Sequence, residues 1–289
     1  MAYLVYNSSK FVCSDYIKNY ILPYYSYLHH YKHPLLFNSS LFYIHSEVVS
    51  VNQLKYKERS LNEWLAGVID GDGYFNTGKS PRFSIEMDRK NLPLMTLIQK
   101  ITQGRLVLNI KNRPNVIRVD VAKRDLLISL LHRVNGNIRN SIRVAQYTEL
   151  CTRFNIPFIA PVPLTFHNAW FTGFFDADGG VRATFTSRSP SITIYVTNKY
   201  SVNLVDYQTI FGGYIRPHDN KNSYRWTIDH SDSVLNMLSY FECYPSMSHK
   251  YNRIILINRF YALKKIKAFK VASTHHQEWL DIKSRWMTS

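Results

Sequence analysis

Apolar positions change period along the chain in a fixed order, and the order occurs twice. Leu61, Trp64, Leu65, Val68 and Ile69 fall at i, i+3, i+4, i+7 and i+8, the spacing of one buried helix face. Ser60 and Glu63 form an S-x-x-E capping box at the expected start of that helix. Period two follows the helix. In VRATFTSR, Val181, Ala183 and Phe185 point one way and Arg182, Thr184 and Thr186 the other. In SITIYVTN, Ile192, Ile194 and Val196 alternate with Thr193, Tyr195 and Thr197. A helix comes next (91–103 and 200–211), then two further strands: RLVLNIK with VIRVDVAK, and YIRPHD with YRWTID. Helical stretches close each unit, so the predicted order is α-β-β-α-β-β-α, twice.

The duplication is visible in the residues themselves. WLAGVIDGDGYF (64–75) matches WFTGFFDADGGV (170–181). Downstream, Ile85 aligns with Ile194, Lys90 with Lys199, Ile101 with Ile210 and Gly104 with Gly213, without a gap. The expected division is a first unit at 60–154, a linker at 155–165 with three prolines (NIPFIAPVPLT), and a second unit at 166–289. Residues 1–59 stand apart and show no sustained period. Ten of the 21 tyrosines and four of the 11 histidines lie before residue 59. An appended arm, a translated upstream segment and an ordered lid all remain open for them.

Composition narrows the partner. Hydrophobic content is 45% and charged content 19%, enough to bury a core and unlike a disordered chain. Lys+Arg number 36 against 20 Asp+Glu, a formal charge of +16, which favours a polyanion, with nucleic acid the default. Cys13, Cys151 and Cys243 are isolated in sequence, which excludes a disulfide framework or zinc cluster read from spacing and favours a reducing compartment. No apolar run reaches the length of a membrane span, and Lys10 and Lys18 interrupt any signal-like apolar segment. No membrane partner is expected.

The first helix of each unit carries small residues four apart, Gly67 and Gly71, then Gly173 and Ala177, which allows two helix backbones to approach closely. Packed together, the helices bring Asp70-Gly71-Asp72-Gly73 beside Asp176-Ala177-Asp178-Gly179. Carboxylates at two helix C-termini repel each other and oppose both dipoles. A divalent cation removes that conflict. Hard oxygen ligands suit Mg²⁺, and carboxylate-held metals stabilise the attacking and leaving oxygens at a scissile phosphate. One Asp-Gly could simply end a helix in a turn. Two in register within a repeat point to a shared site.

LAGVIDGDG (65–73) and FTGFFDADG (171–179) resemble the signature of the LAGLIDADG homing endonucleases, of the monomeric two-motif type; Phe171 and Thr172 depart from it. The resemblance runs over about residues 60–289. It implies an α+β fold of two pseudo-symmetric αββαββα units packed through their LAGLIDADG helices, with antiparallel sheets forming a DNA-binding saddle. It implies that Asp72 and Asp178 bind the catalytic metals, with the carbonyls of Gly71 and Ala177 completing the coordination, and that Asp70 and Asp176 hold the helix ends. The cofactor would be Mg²⁺, with Mn²⁺ or Ca²⁺ able to occupy the sites. In YPSMSHKYNR (244–253), Lys250 follows Pro245 by five residues, which is similar to the family's active-site lysine and implies a catalytic role. NGNIRNSIR (135–143) has no lysine at the matching place, leaving Arg139 or Arg143 to substitute.

The polar strand faces are then the expected DNA surface: Arg82, Ser84, Glu86, Arg105, Lys111 and Arg118 in the first unit. In the second they are Arg182, Thr184, Arg188, Thr193, Tyr195, Arg216, His218, Arg225 and Thr227. Arg89 and Asn198, at the ends of matching strands, fall where the family approaches the phosphate. A β-ribbon fits the major groove, where base pairs are distinguishable. The expected activity is cleavage of double-stranded DNA by a monomer. A maturase that binds intron RNA, or a non-catalytic DNA binder, is the alternative on the same scaffold. Abundant Tyr, Ile, Asn and Lys point to an organelle genome, mitochondrial or chloroplast.

Overall fold

A computed structural model describes residues 51–218 and 222–289, with the backbone alone for 51–56. Residues 1–50 of the expected N-terminal extension lie outside the described residues. The first helix, α1, spans Val51–Asp72 and so crosses the boundary placed at 59/60. Ser60 is therefore inside the helix, 2% exposed, and not its N-cap. Glu63 serves a different helix start: its Oε2 accepts from the backbone N–H of Ala169 at 3.0 Å, the residue that opens the second leading helix, α5 (Trp170–Asp178). A capping carboxylate is thus supplied in trans, where the exposed N–H groups and the dipole favour it.

The first unit continues as β1 (Gly73–Asn76), β2 (Arg82–Asp88), a 3₁₀ turn, α2 (Leu92–Thr102), β3 (Arg105–Val107), β4 (Val116–Val121), α3 (Arg124–Val134) and α4 (Ser141–Arg153). The second follows α5 with β5 (Gly179–Thr184), β6 (Ser191–Asn198), a 3₁₀ turn, α6 (Val205–Phe211), β7 (Tyr214–Pro217) and β8 (Tyr224–Ile228). It closes with α7 (Ser231–Cys243), α8 (Tyr251–Ile254), α9 (Ile257–Lys265) and α10 (His276–Met287). Each unit holds one antiparallel four-stranded sheet, ordered β1-β2-β4-β3 and β5-β6-β8-β7. The architecture is the expected α+β pair of units.

Period two decides which side of each sheet is buried. Phe83, Ile85 and Met87 of β2 face Ile117, Val119 and Val121 across the ladder, all inside, while Ser84, Glu86, Arg118 and Asp120 lie on the other face. Ile192, Ile194 and Val196 repeat this in β6 against Trp226 and Ile228. Phe185 leaves β5 to pack on Phe260 and Trp279 of the last helices. Both cores meet at α1 and α5, whose crossing is close enough to exclude any side chain at its centre. A Cβ on Gly67 would stand 2.0 Å from the Trp170 carbonyl oxygen, and one on Gly173 1.9 Å from that of Trp64. Only glycine fits at either place.

Candidate active site and nucleic-acid face

The crossing joins the two motifs reciprocally. Trp64 Nε1 donates to Asp176 Oδ2 at 2.9 Å, and Trp170 Nε1 donates to Asp70 Oδ2 at 2.9 Å. Asp176 also accepts from the Met247 N–H at 2.9 Å, from Ser248 Oγ at 2.8 Å and from Ser246 Oγ. Asp70 accepts from the Arg139 N–H at 2.7 Å, while its Oδ1 has no partner. Burial pushes the Asp70 carboxyl up to about 7, against the hydrogen bonds that lower it. The first acid of each motif is thus a buried brace between units, deeper than the helix-end role expected of it. Trp64 and Trp170 occupy equal places in the repeat, so the duplication already marked them. The loop serines 246 and 248 gave no such signal.

The second acids behave differently. No described protein group hydrogen-bonds to Asp72 or Asp178, although both are half-buried. They lie together: a Cβ on Gly71 would sit 3.5 Å from Asp178 Oδ2. Burial raises Asp178 to about 7, helped by the charge of Asp72. Burial likewise raises Asp72 to about 6, opposed by Lys250 and Arg143. Two carboxylates without donors, each destabilised as an anion, form a donor set that a hard dication fits. The described residues contain no cluster of three or more His, Cys, Asp or Glu that would cage a metal without substrate. Mg²⁺ usually keeps waters and takes substrate phosphate beside one or two carboxylates, so the pair is sufficient.

Lys250 lies at the second helix end. Its Nζ donates to the carbonyls of Phe175, Asp176 and Ala177 at 2.9, 2.8 and 2.9 Å, closing the C-terminus of α5 with a cation. Burial pulls its ammonium down to about 8, against the pull of Asp176, Asp72 and Asp178. The Ala177 carbonyl, expected as a metal ligand, is already an acceptor for this lysine. In the first unit Arg143 lies within electrostatic reach of Asp70, Asp178 and Asp72, and its Nη1 donates to Gln146 Oε1 at 3.0 Å. Arg139 instead turns its guanidinium over the Trp170 ring, 5.5 Å from the centroid.

A groove of about 770 Å³ runs from Asp72 along the open face of the first sheet, past Tyr74, Arg82, Ser84 and Arg105. Arg82, Ser84, Glu86, Arg105 and Arg118 share that face, as Arg182, Thr184, Thr193, Tyr195, Arg216 and Arg225 share the second. Lys111 and Arg188 lie in loops beyond the strand ends, because β3 stops at Val107 and β5 at Thr184. Arg89 begins the 3₁₀ turn after β2, exposed, with Nη1 donating to the Leu108 carbonyl at 3.4 Å. His218 Nε2 meets Arg225 Nη2 at 2.7 Å. Asn198 does not belong to the surface: it is 8% exposed, and its Oδ1 accepts from the Tyr200 N–H and Asn203 Nδ2. Thr227 is 7% exposed, set between Tyr195 and Tyr214 in the ladder. Both differ from the expected surface, for separate reasons: Asn198 shares the parity of Ile192, Ile194 and Val196 and so falls on the inner side of β6, whereas Thr227 has outward parity but is flanked by two tyrosines. Asp120 and Arg113, unmarked by the sequence reading, complete the first face.

The profile of a family described as "LAGLIDADG endonuclease" matches residues 171–261. The Saccharomyces cerevisiae protein named "Intron-encoded RNA maturase bI4" is 37% identical over 241 residues, covering 80% of this chain and 38% of its own length. "Probable intron-encoded endonuclease aI2" of Debaryomyces hansenii is 31% identical over 253 residues, 79% of this chain and 38% of its own length. The chain therefore spans about two fifths of the length of these two relatives. Among solved structures, LAGLIDADG meganuclease I-AabMI bound to uncleaved DNA gives a TM-score of 0.57 at 18% identity, over 77% of this chain and 98% of that one. I-LtrWI, a LAGLIDADG homing endonuclease bound to target DNA, gives 0.59 at 13% identity, over 79% and 98%. At such identities the likeness is one of fold.

Proposed function

The chain belongs to the LAGLIDADG family, and on that premise we propose that it is a site-specific double-strand DNA endonuclease, dependent on a divalent metal and encoded in an intron. The observation that carries this is the contrast within each motif. Asp70 and Asp176 each accept an indole N–H across the crossing and further donors from their own units, whereas no described group donates to Asp72 or Asp178, which lie close enough for one charge to raise the other. Purely structural acids would be paired like the first two. Bound there, Mg²⁺ would stabilise charge on the attacking and leaving oxygens of the phosphodiester. Asp72, Asp178 and the carbonyl of Gly71 would hold it. Lys250 Nζ can keep or release a proton near neutral pH, which Arg143 cannot, so the two strands meet unlike surroundings.

Two similar but non-identical sheets read a long asymmetric site, and one chain carries both, so a monomer suffices. The host gene would belong to an organelle genome, in keeping with the composition. The test is a plasmid bearing the uninterrupted host-gene sequence, incubated with the protein and Mg²⁺. Linearisation at one site supports the proposal; intact supercoils under every metal tried would remove it. The relative named as an RNA maturase favours a second reading, in which the same scaffold binds intron RNA. Tight binding to the folded intron with no DNA cleavage would select it.

A further inference from the structure

The two open sheet faces differ in how their described arginines are paired. On the first, Arg118 is held between two carboxylates: Nε donates to Asp120 Oδ2 at 3.0 Å and Nη1 to Glu86 Oε1 at 3.4 Å. Register sets this up, because Glu86 stands directly across from Arg118, and Ser84 from Asp120. Ser84 Oγ donates to Asp120 Oδ1 at 2.8 Å, and Arg113 pairs with Glu86 Oε2 at 2.7 Å. On the second face no described carboxylate pairs with Arg182, Arg216 or Arg225. Arg225 lies over the Tyr195 ring at 4.4 Å and Arg216 over Tyr214 at 4.3 Å.

Carboxylates on a surface that meets a polyanion add repulsion and occupy arginines that could bind phosphate. They can, however, accept from the exocyclic amine of cytosine, while arginine donates to guanine O6 and N7. Fixed at Nε and Nη1, Arg118 has little rotamer freedom left to lose on binding, and its Nη2 is engaged by no described group. Guanine donors and cytosine acceptors therefore stand at adjacent positions on the face whose groove begins at Asp72.

We propose that Glu86, Arg118 and Asp120 form a base-reading array for a G·C pair in the half-site beneath the first unit, while the arginines of the second sheet, which no described carboxylate neutralises, supply sequence-independent phosphate affinity. This rests on the DNA-endonuclease reading above. The first unit discriminates and the second anchors.

The experiment is selection from a randomised duplex library in Ca²⁺, with the bound fraction sequenced, for the full chain and five variants. Arg118→Lys and Glu86→Gln should each weaken a G·C preference on one side of the site centre by about tenfold, the scale of one good base contact. Glu86→Gln and Asp120→Asn should also bind random-sequence duplex several-fold more tightly. Arg216→Gln and Arg225→Gln should weaken all duplexes alike, leave the selected sequence unchanged and each lower the salt slope by about one. Reading Arg118→Lys beside the two carboxylate variants keeps the result decisive if one of them folds poorly. A G·C preference that survives both Arg118→Lys and Glu86→Gln overturns this division while leaving DNA recognition intact. A parent chain that enriches no duplex sequence overturns both.

Discussion

The indole of Trp64 donates to Asp176 across the helix crossing at 2.9 Å, and the indole of Trp170 returns the bond to Asp70 at the same distance. The two bonds look equivalent but their surroundings are not. Asp176 keeps Ser246, Met247 and Ser248 if its indole is lost, whereas Asp70 keeps mainly backbone N–H donors and already has a bare Oδ1. Trp170→Phe should therefore destabilise the protein more than Trp64→Phe, by roughly 1–3 kcal/mol for a buried acceptor left short of donors. Urea denaturation of both variants checks the order; equal losses would contradict it.

Gly67→Ala and Gly173→Ala should each cost about 3 kcal/mol or more, because the added methyl meets backbone that cannot move away within the packed crossing. The measurement is the unfolding midpoint. Near-parental midpoints would mean that the helices pack less closely than the structure shows.

Asp72→Asn and Asp178→Asn should retain or improve DNA binding in Ca²⁺, since each removes a negative charge facing phosphate. In Mg²⁺ each should lose cleavage of at least one strand. A gel shift beside a cleavage time course decides the matter, and parental cutting of both strands by both variants would sink the catalytic assignment.

The same acids fix a pH response. Their folded values lie above the ordinary aspartate range, at about 6 for Asp72 and about 7 for Asp178. Protons are thus bound more tightly in the folded state. Stability from this source is full below pH ~4 and is lost as pH rises through 6 and 7. Metal-free protein should lose melting temperature over that window, more than Asp178→Asn does, and Mg²⁺ should raise it more at pH 7.5 than at pH 5. Melting curves with EDTA and with Mg²⁺ give the comparison.

Lys250→Met should lower both stability and cleavage rate, because it removes a charge near the acids and leaves three helix-end carbonyls without their donor. The stability loss should be roughly 1–3 kcal/mol. DNA affinity should change little. A variant that cuts slowly yet melts like the parent would confine the lysine to the chemistry.

Local pattern determined much of this protein. Helix and strand periods, the duplicated DxDG motif and the small residues at 67, 71, 173 and 177 are properties of neighbours in the chain, and they gave the α+β units, the two-helix crossing and the paired acids. What they could not give depends on who meets whom. Ser60 reads as a cap because S-x-x-E is a local signal, yet upstream residues extend the helix to Val51 and bury it. Thr227 reads as an outward strand residue, yet Tyr195 and Tyr214 flank it and leave it 7% exposed. That Arg143 feels the charges of Asp72 and Asp178 while Arg139 feels that of Asp70, that Lys250 caps the helix ending at Asp178, and that Glu86 and Asp120 hold Arg118 were all decided by tertiary structure. Such partnerships join residues far apart in sequence, and burial sets their electrostatics, so no periodicity encodes them.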